Sequence, residues 1–202
     1  MKDFKTISLI LVSVIIFLLF YFPNKITKMK HTQDILSEFT SGSQIKEEFY
    51  NFNFEINNKM TGLTSPDIIC KENKTDEVKL SALVEKKPLL LYRYADINCN
   101  TCYEAELKAL QEEFSESPNL VSVICSYRVD QEFIVFKKIN KIRVPLFRID
   151  PDAFSWDVEN YLNPYYFVLH PDMKISHIYV PNKVFPELNK QYLEGVKRFL
   201  SE

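Results

Sequence analysis

A short stretch near the middle of the chain fixes most of what this sequence can become. Leu89-Leu-Leu-Tyr-Arg-Tyr94 is a near-continuous apolar run, the pattern of a strand covered on both faces. It leads into Cys99-Asn-Thr-Cys102. Beyond the cysteines Tyr103, Leu107, Leu110 and Phe114 recur at i, i+4, i+7 and i+11, which marks one face of a helix. A buried strand that delivers two cysteines to the first turn of a helix suits dithiol–disulfide exchange. Unpaired N–H groups and the dipole at a helix N-terminus favour a thiolate, so Cys99 is the expected nucleophile. Cys102, one turn in, is the expected resolving thiol, which attacks the mixed disulfide. The same motif also fits a structural disulfide or half of a zinc site. Zinc normally takes four ligands, and the sequence has no second Cys-x-x-Cys.

Compartment bears on that choice, and the N-terminus speaks to compartment. Ile7 to Phe22 is an apolar run whose only polar members are Ser8, Ser13 and Tyr21, preceded by Lys2 and Lys5. It is slightly short of the roughly 20 residues of a bilayer span, yet more apolar than a core helix. No small-x-small cleavage site comes after it; Phe20, Tyr21, Phe22 and Pro23 stand there instead, so a retained anchor over residues 1–23 is expected rather than a cleaved signal. Lys25, Lys28 and Lys30 oppose Lys2 and Lys5 in the positive-inside comparison. A short N-terminal anchor with a minimal leader usually exports the chain behind it. The expectation is therefore a single-pass protein of the inner (cytoplasmic) membrane, with its C-terminal domain facing the periplasm or exterior.

The remainder reads as a globular α/β domain. The 202 residues are 46% hydrophobic and 26% charged, ordinary values for a packed chain. A net charge of −2 with scattered basic residues gives no reason to expect nucleic acid as a partner, and three glycines leave little material for a phosphate loop. Residues 24–63 read as a stalk and lead-in, with Ile35, Leu36 and Phe39 suited to a short helix and Phe49 to Ile56 to a strand. Residues 64–202 form the expected domain. Strands are expected at Asp67–Cys70, Thr75–Leu80, Leu89–Tyr94, Leu120–Cys125 and Val144–Ile149, with a hairpin at Tyr165–Leu169 and Ile175–Val180. Helices are expected after the cysteines up to Pro118, after a cap at Asp130, over Ala153–Leu162 and at the C-terminus, where Leu188, Tyr192, Val196, Phe199 and Leu200 form an apolar stripe. This order implies a mixed sheet flanked by helices.

From Pro66 to about Val180 the chain resembles the TlpA-like (ResA-type) family of membrane-anchored thioredoxin-fold thiol–disulfide oxidoreductases. Val78-Lys-Leu-Ser81 with Leu83 resembles the family's first hairpin, and Lys87-Pro-Leu-Leu-Leu-Tyr92 its central strand. Cys99-Asn-Thr-Cys102 occupies the redox position, and Asn163-Pro-Tyr-Tyr-Phe-Val-Leu-His-Pro-Asp-Met-Lys-Ile175 resembles the stretch with the cis-proline and the hairpin after it. The departures are Asn98 where the family commonly has Trp, Asn100-Thr101 between the cysteines, Ala105 where many members have Glu, and Met173 for the hairpin Gly. The resemblance implies a thioredoxin-like fold, no cofactor and no resident metal. It also implies a Cys99/Cys102 dithiol that acts as a reductant on exported protein clients and is recharged by a separate membrane or periplasmic redox partner.

By the same resemblance Asn163 and Pro164 lie beside Cys99 across a cis bond, with the Asn163 backbone pairing to an extended substrate. The alternative is an ordinary proline opening a strand. Asp96, Glu104 and Glu106 are candidates for proton transfer by proximity in sequence, against the more usual fate of solvated charges. Cys70 and Cys125 read as buried small hydrophobes. Two rival functions stand beside disulfide exchange. One is a non-enzymatic module that binds a partner or metal, copper-chaperone-like, with a distant histidine such as His170. The other is a peroxidase-like redoxin, disfavoured by Ile97-Asn98 ahead of the cysteine.

Overall fold

The computed structural model describes residues 42–73, 76–95, 100–161 and 163–202, with side chains omitted at 100–103. The expected anchor over 1–23 and the short helix near Leu36 lie outside these residues. Among the described residues no helix is long and apolar enough to cross a membrane. The chain divides into two compact units, Met1–Phe49 and Tyr50–Glu202. Residues 42–49, the described part of the first, are helical.

The second unit opens with helix α1, residues 50–60. After it come β1 (Ile69–Lys71), β2 (Glu77–Lys79), α2 (Leu80–Leu83), β3 (Leu89–Ala95), α3 (Asn100–Glu113), β4 (Val121–Ser126), α4 (Asp130–Ile139), β5 (Leu146–Ile149), β6 (Tyr165–Leu169), β7 (Ile175–Tyr179) and α5 (Pro186–Ser201). The strands form one seven-stranded mixed sheet in the order β2-β1-β5-β4-β3-β6-β7. As its apolar run requires, β3 is central: it runs parallel to β4, from Leu90↔Val121 to Ala95↔Ser126, and antiparallel to β6, from Leu89↔Leu169 to Arg93↔Tyr165. Alternation along β3 sends Leu90, Tyr92 and Tyr94 into one core with Leu107 and Leu110 of α3, Phe114 just after it, Phe133 of α4 and Val196 of α5. Leu89 and Leu91 face the other core, with Ile56 and Met60 of α1 and Trp156.

Several local expectations change. The segment Phe49–Ile56 is helical, not a strand. Its alternating aromatics misled: Phe54 is solvent-exposed, while Asn53, Ile56 and Met60, spaced for a helix, are buried. That helix closes the sheet's outer edge at β7. Asn53 Oδ1 accepts from the Val180 N–H at 2.7 Å, and Asn57 Oδ1 from the Ile178 N–H at 2.9 Å, while Gly62 and Leu63 exchange backbone bonds with Ile175. Pro118 does not terminate α3, which ends at Glu113; it opens a 3-10 turn, Pro118–Leu120, where a proline's missing N–H costs nothing. Asp130 is the first residue of α4 rather than its cap, its carboxylate being taken by Arg148 at 2.9 Å. The expected helix over Ala153–Leu162 is a 3-10 turn at Asp157–Tyr161. Met173 sits at φ 64°, the left-handed region that favours glycine.

Candidate dithiol site

β3 and α3 belong to a parallel crossover that returns in β4, so the start of α3 stands at the carboxyl ends of two central strands. Open α/β sheets carry their chemistry at this end. Cys102 is the third residue of α3. Cys99 and Asp96 fall in residues 96–99, outside the described part, and the side chain of Cys102 is likewise outside it.

The three candidates for proton transfer separate. Asp96 is not described, and Glu104 is solvent-exposed. Glu106, one helical turn after Cys102, is only 7% exposed. Its Oε2 accepts from the Tyr166 hydroxyl at 3.1 Å and its Oε1 from Asn189 Nδ2 at 2.7 Å. Burial raises the Glu106 carboxyl above its ordinary value, and the two hydrogen bonds only partly oppose that. Asn189 is fixed in turn: its Oδ1 accepts from the Tyr179 hydroxyl at 2.8 Å and from the Asn182 N–H at 3.2 Å. A carboxyl held by neutral donors, with no cation bonded to it among the described residues, can hold or release a proton at modest cost.

Asn163 is exposed and Pro164 buried immediately before β6. No peptide bond among the described residues is cis, so the bond expected to be cis between Asn163 and Pro164 is trans. Pro164 precedes the first ladder residue, Tyr165, where a residue without an N–H removes no strand hydrogen bond. Where Asn163 stands relative to Cys99 lies outside the described residues.

A second polar cluster went unread in the sequence. Arg93, at the carboxyl end of β3, is 2% exposed. Its Nε donates to Glu159 Oε1 at 3.0 Å, its Nη2 to Glu159 Oε2 at 3.4 Å and its Nη1 to Ser126 Oγ at 3.0 Å. The Tyr165 hydroxyl donates to the same Glu159 Oε1 at 2.7 Å. The end of β3, the end of β4 and the 3-10 turn before Pro164 are thereby tied to one another. The signal was present: Arg93 is the single charge in an otherwise apolar strand, and a buried charge needs a partner.

The other two cysteines are buried on opposite faces of the sheet. Burial pushes the Cys70 thiol up to about 12, and Cys125 Sγ donates to the Phe147 carbonyl at 3.5 Å. Cys70, so raised, is not suited to act as a thiolate. A cavity of about 560 Å³, lined by Gln111, Phe114, Pro118 and Val144 among others, lies at the opposite end of α3 from Cys102.

No protein-family model and no curated protein matches this sequence. Solved structures do. The chain is similar to a thiol:disulfide interchange protein from Bacteroides sp., with a TM-score of 0.54 at 16% identity, over 70% of this chain and 91% of that one. It is similar also to the thioredoxin domain of a thiol-disulfide oxidoreductase from Bacteroides vulgatus, with a TM-score of 0.53 at 16% identity, over 69% of this chain and 97% of that one. At such identity the likeness is one of fold. The second unit has a thioredoxin-like α/β fold, as the sequence led us to expect.

Proposed function

We propose that this protein is a thiol–disulfide oxidoreductase of the TlpA-like kind, working through Cys99 and Cys102. The observation that carries the reading is the start of α3 at Asn100, directly after the first cysteine and at the carboxyl end of the central strand. A helix beginning there presents its unpaired N–H groups to the preceding residue and favours a thiolate at it. The thioredoxin-like fold of the solved neighbours supports the same reading.

In the proposed cycle the Cys99 thiolate attacks a client disulfide, forming a mixed disulfide and expelling one client thiolate. Cys102, deprotonated, attacks Cys99 Sγ and expels the second client thiolate, leaving Cys99–Cys102 oxidised and the client reduced by two electrons. Glu106 is the group best suited to take the Cys102 proton and return it. Glu104, solvent-exposed on α3, has a solvent-facing role at most. The run Ile7–Phe22 anchors the chain with its C-terminal unit on the exported side. That run contains no cysteine, so a separate redox partner recharges the pair.

Insulin reduction with dithiothreitol as electron source tests this directly. Turnover is expected in the native chain and lost in Cys99→Ser, while Cys102→Ser accumulates a mixed disulfide. Turnover that survives Cys99→Ser would overturn the proposal.

A further inference from the structure

The hairpin β6–β7 carries a feature that disulfide exchange does not use. Its register shifts between Tyr166↔Tyr179 and Val168↔Ser176, so that β7 holds one residue more than β6 over this stretch. His177 takes up the extra residue with φ 52°, a left-handed conformation rare for a residue other than glycine. The Tyr192 hydroxyl pins it by donating to the His177 carbonyl at 2.6 Å. Bulges of this kind re-aim side chains, and a strained residue held in place from outside points to a use for the side chain it presents.

The result is a convergence of three side chains. His170 Nε2 lies 2.7 Å from Ser176 Oγ, and His177 Nδ1 lies 2.7 Å from the same oxygen. Two imidazole nitrogens thus aim at a single point that holds one hydroxyl. The ring of Phe199 backs both, with centroids 4.5 Å from His177 and 6.2 Å from His170. Phe199 belongs to the last turn of α5, whose carbonyl end favours a positive charge nearby. The charged groups beside His170 are Asp172 and Lys174, paired with each other at 3.6 Å.

We propose that His170 and His177, with Ser176 between them, bind a divalent first-row transition-metal ion, with Cu²⁺ held most tightly. Imidazole nitrogens suit copper, nickel and zinc, and a site of given ligands follows the order that peaks at Cu²⁺. Bound imidazole nitrogens lie about 2.0–2.1 Å from such an ion, and both nitrogens here already lie 2.7 Å from one oxygen. Among the described residues no group of three or more His, Cys, Asp or Glu converges. The site therefore supplies two nitrogens and leaves the remaining positions to water, as an exchangeable ion requires.

The inference is independent of the dithiol, and its test keeps the two apart. The full-length chain carrying Cys99→Ser and Cys102→Ser is titrated with Cu²⁺ in a non-coordinating buffer and followed by calorimetry and electron paramagnetic resonance. One ion per chain is expected, with hyperfine splitting from two imidazole nitrogens. His170→Ala and His177→Asn each weaken binding by roughly 10-fold or more, and together they abolish it. Asparagine tolerates the left-handed backbone at 177, so that variant keeps the fold, and a thermal melt checks it. Unchanged affinity in the double-histidine variant, a spectrum without imidazole nitrogen, or no saturable binding would each overturn the proposal.

Discussion

Glu106 and Glu159 show how the partner decides what a withdrawn carboxylate can do. Among the described residues Glu106 is bonded by the neutral groups of Tyr166 and Asn189 alone, and burial raises its carboxyl. For an acid held this way, folding favours the protonated form. The stability it contributes is present below the ordinary carboxylate range and is lost as pH rises through the raised value. Glu106→Gln, which mimics the protonated form, should therefore gain stability relative to the native chain as pH rises above the ordinary carboxylate range, read in thermal melts. In insulin reduction the same variant should lose roughly 100-fold in turnover, the scale of positioned proton transfer. Unchanged turnover would remove Glu106 from the cycle. Glu159 instead faces the buried Arg93 guanidinium. Arg93→Met leaves that carboxylate without its cation and should cost about 3 kcal/mol in urea unfolding. Adding Glu159→Gln should recover part of the loss, because the two residues form one unit. Equal losses in the single and double variants would show that the pair does not act as a unit.

At the scale of elements, the strands and the dithiol helix were legible because their patterns are periodic and strong. β3 reads as a buried strand, and Leu107, Leu110 and Phe114 fall where a helix face puts them. The features that escaped depend on distant partners. α1 was misread because the alternation of Phe52, Phe54 and Ile56 imitates a strand, whereas its buried face is set by β7. Asn53 and Asn57, one turn apart, hydrogen-bond along the edge of that strand much as a neighbouring strand would. Asn53→Ala strips the Val180 N–H and carbonyl of their partner in a buried setting. It should cost roughly 1–3 kcal/mol, read from the unfolding midpoint. A loss within error would mean the edge is covered without that side chain. The trans bond before Pro164 and the bulge at His177 escaped for a similar reason: tertiary packing, not local pattern, decides each.

Over the whole molecule, the proposal joins an N-terminal anchor to a thioredoxin-like unit whose dithiol works outside the cytoplasm. Asn98, Asn100 and Thr101 flank the cysteines in sequence, and these positions bear on the potential of the pair. The most direct test of the account is a redox titration of the full-length chain in glutathione or dithiothreitol buffers, with thiol alkylation and mass spectrometry to locate the pairing. One reversible two-electron couple is expected, confined to Cys99 and Cys102, at roughly −270 mV, the range of a thioredoxin-like reductant. A couple near roughly −120 mV would reverse the direction of electron flow, and failure of Cys99 and Cys102 to pair at all would contradict the account outright.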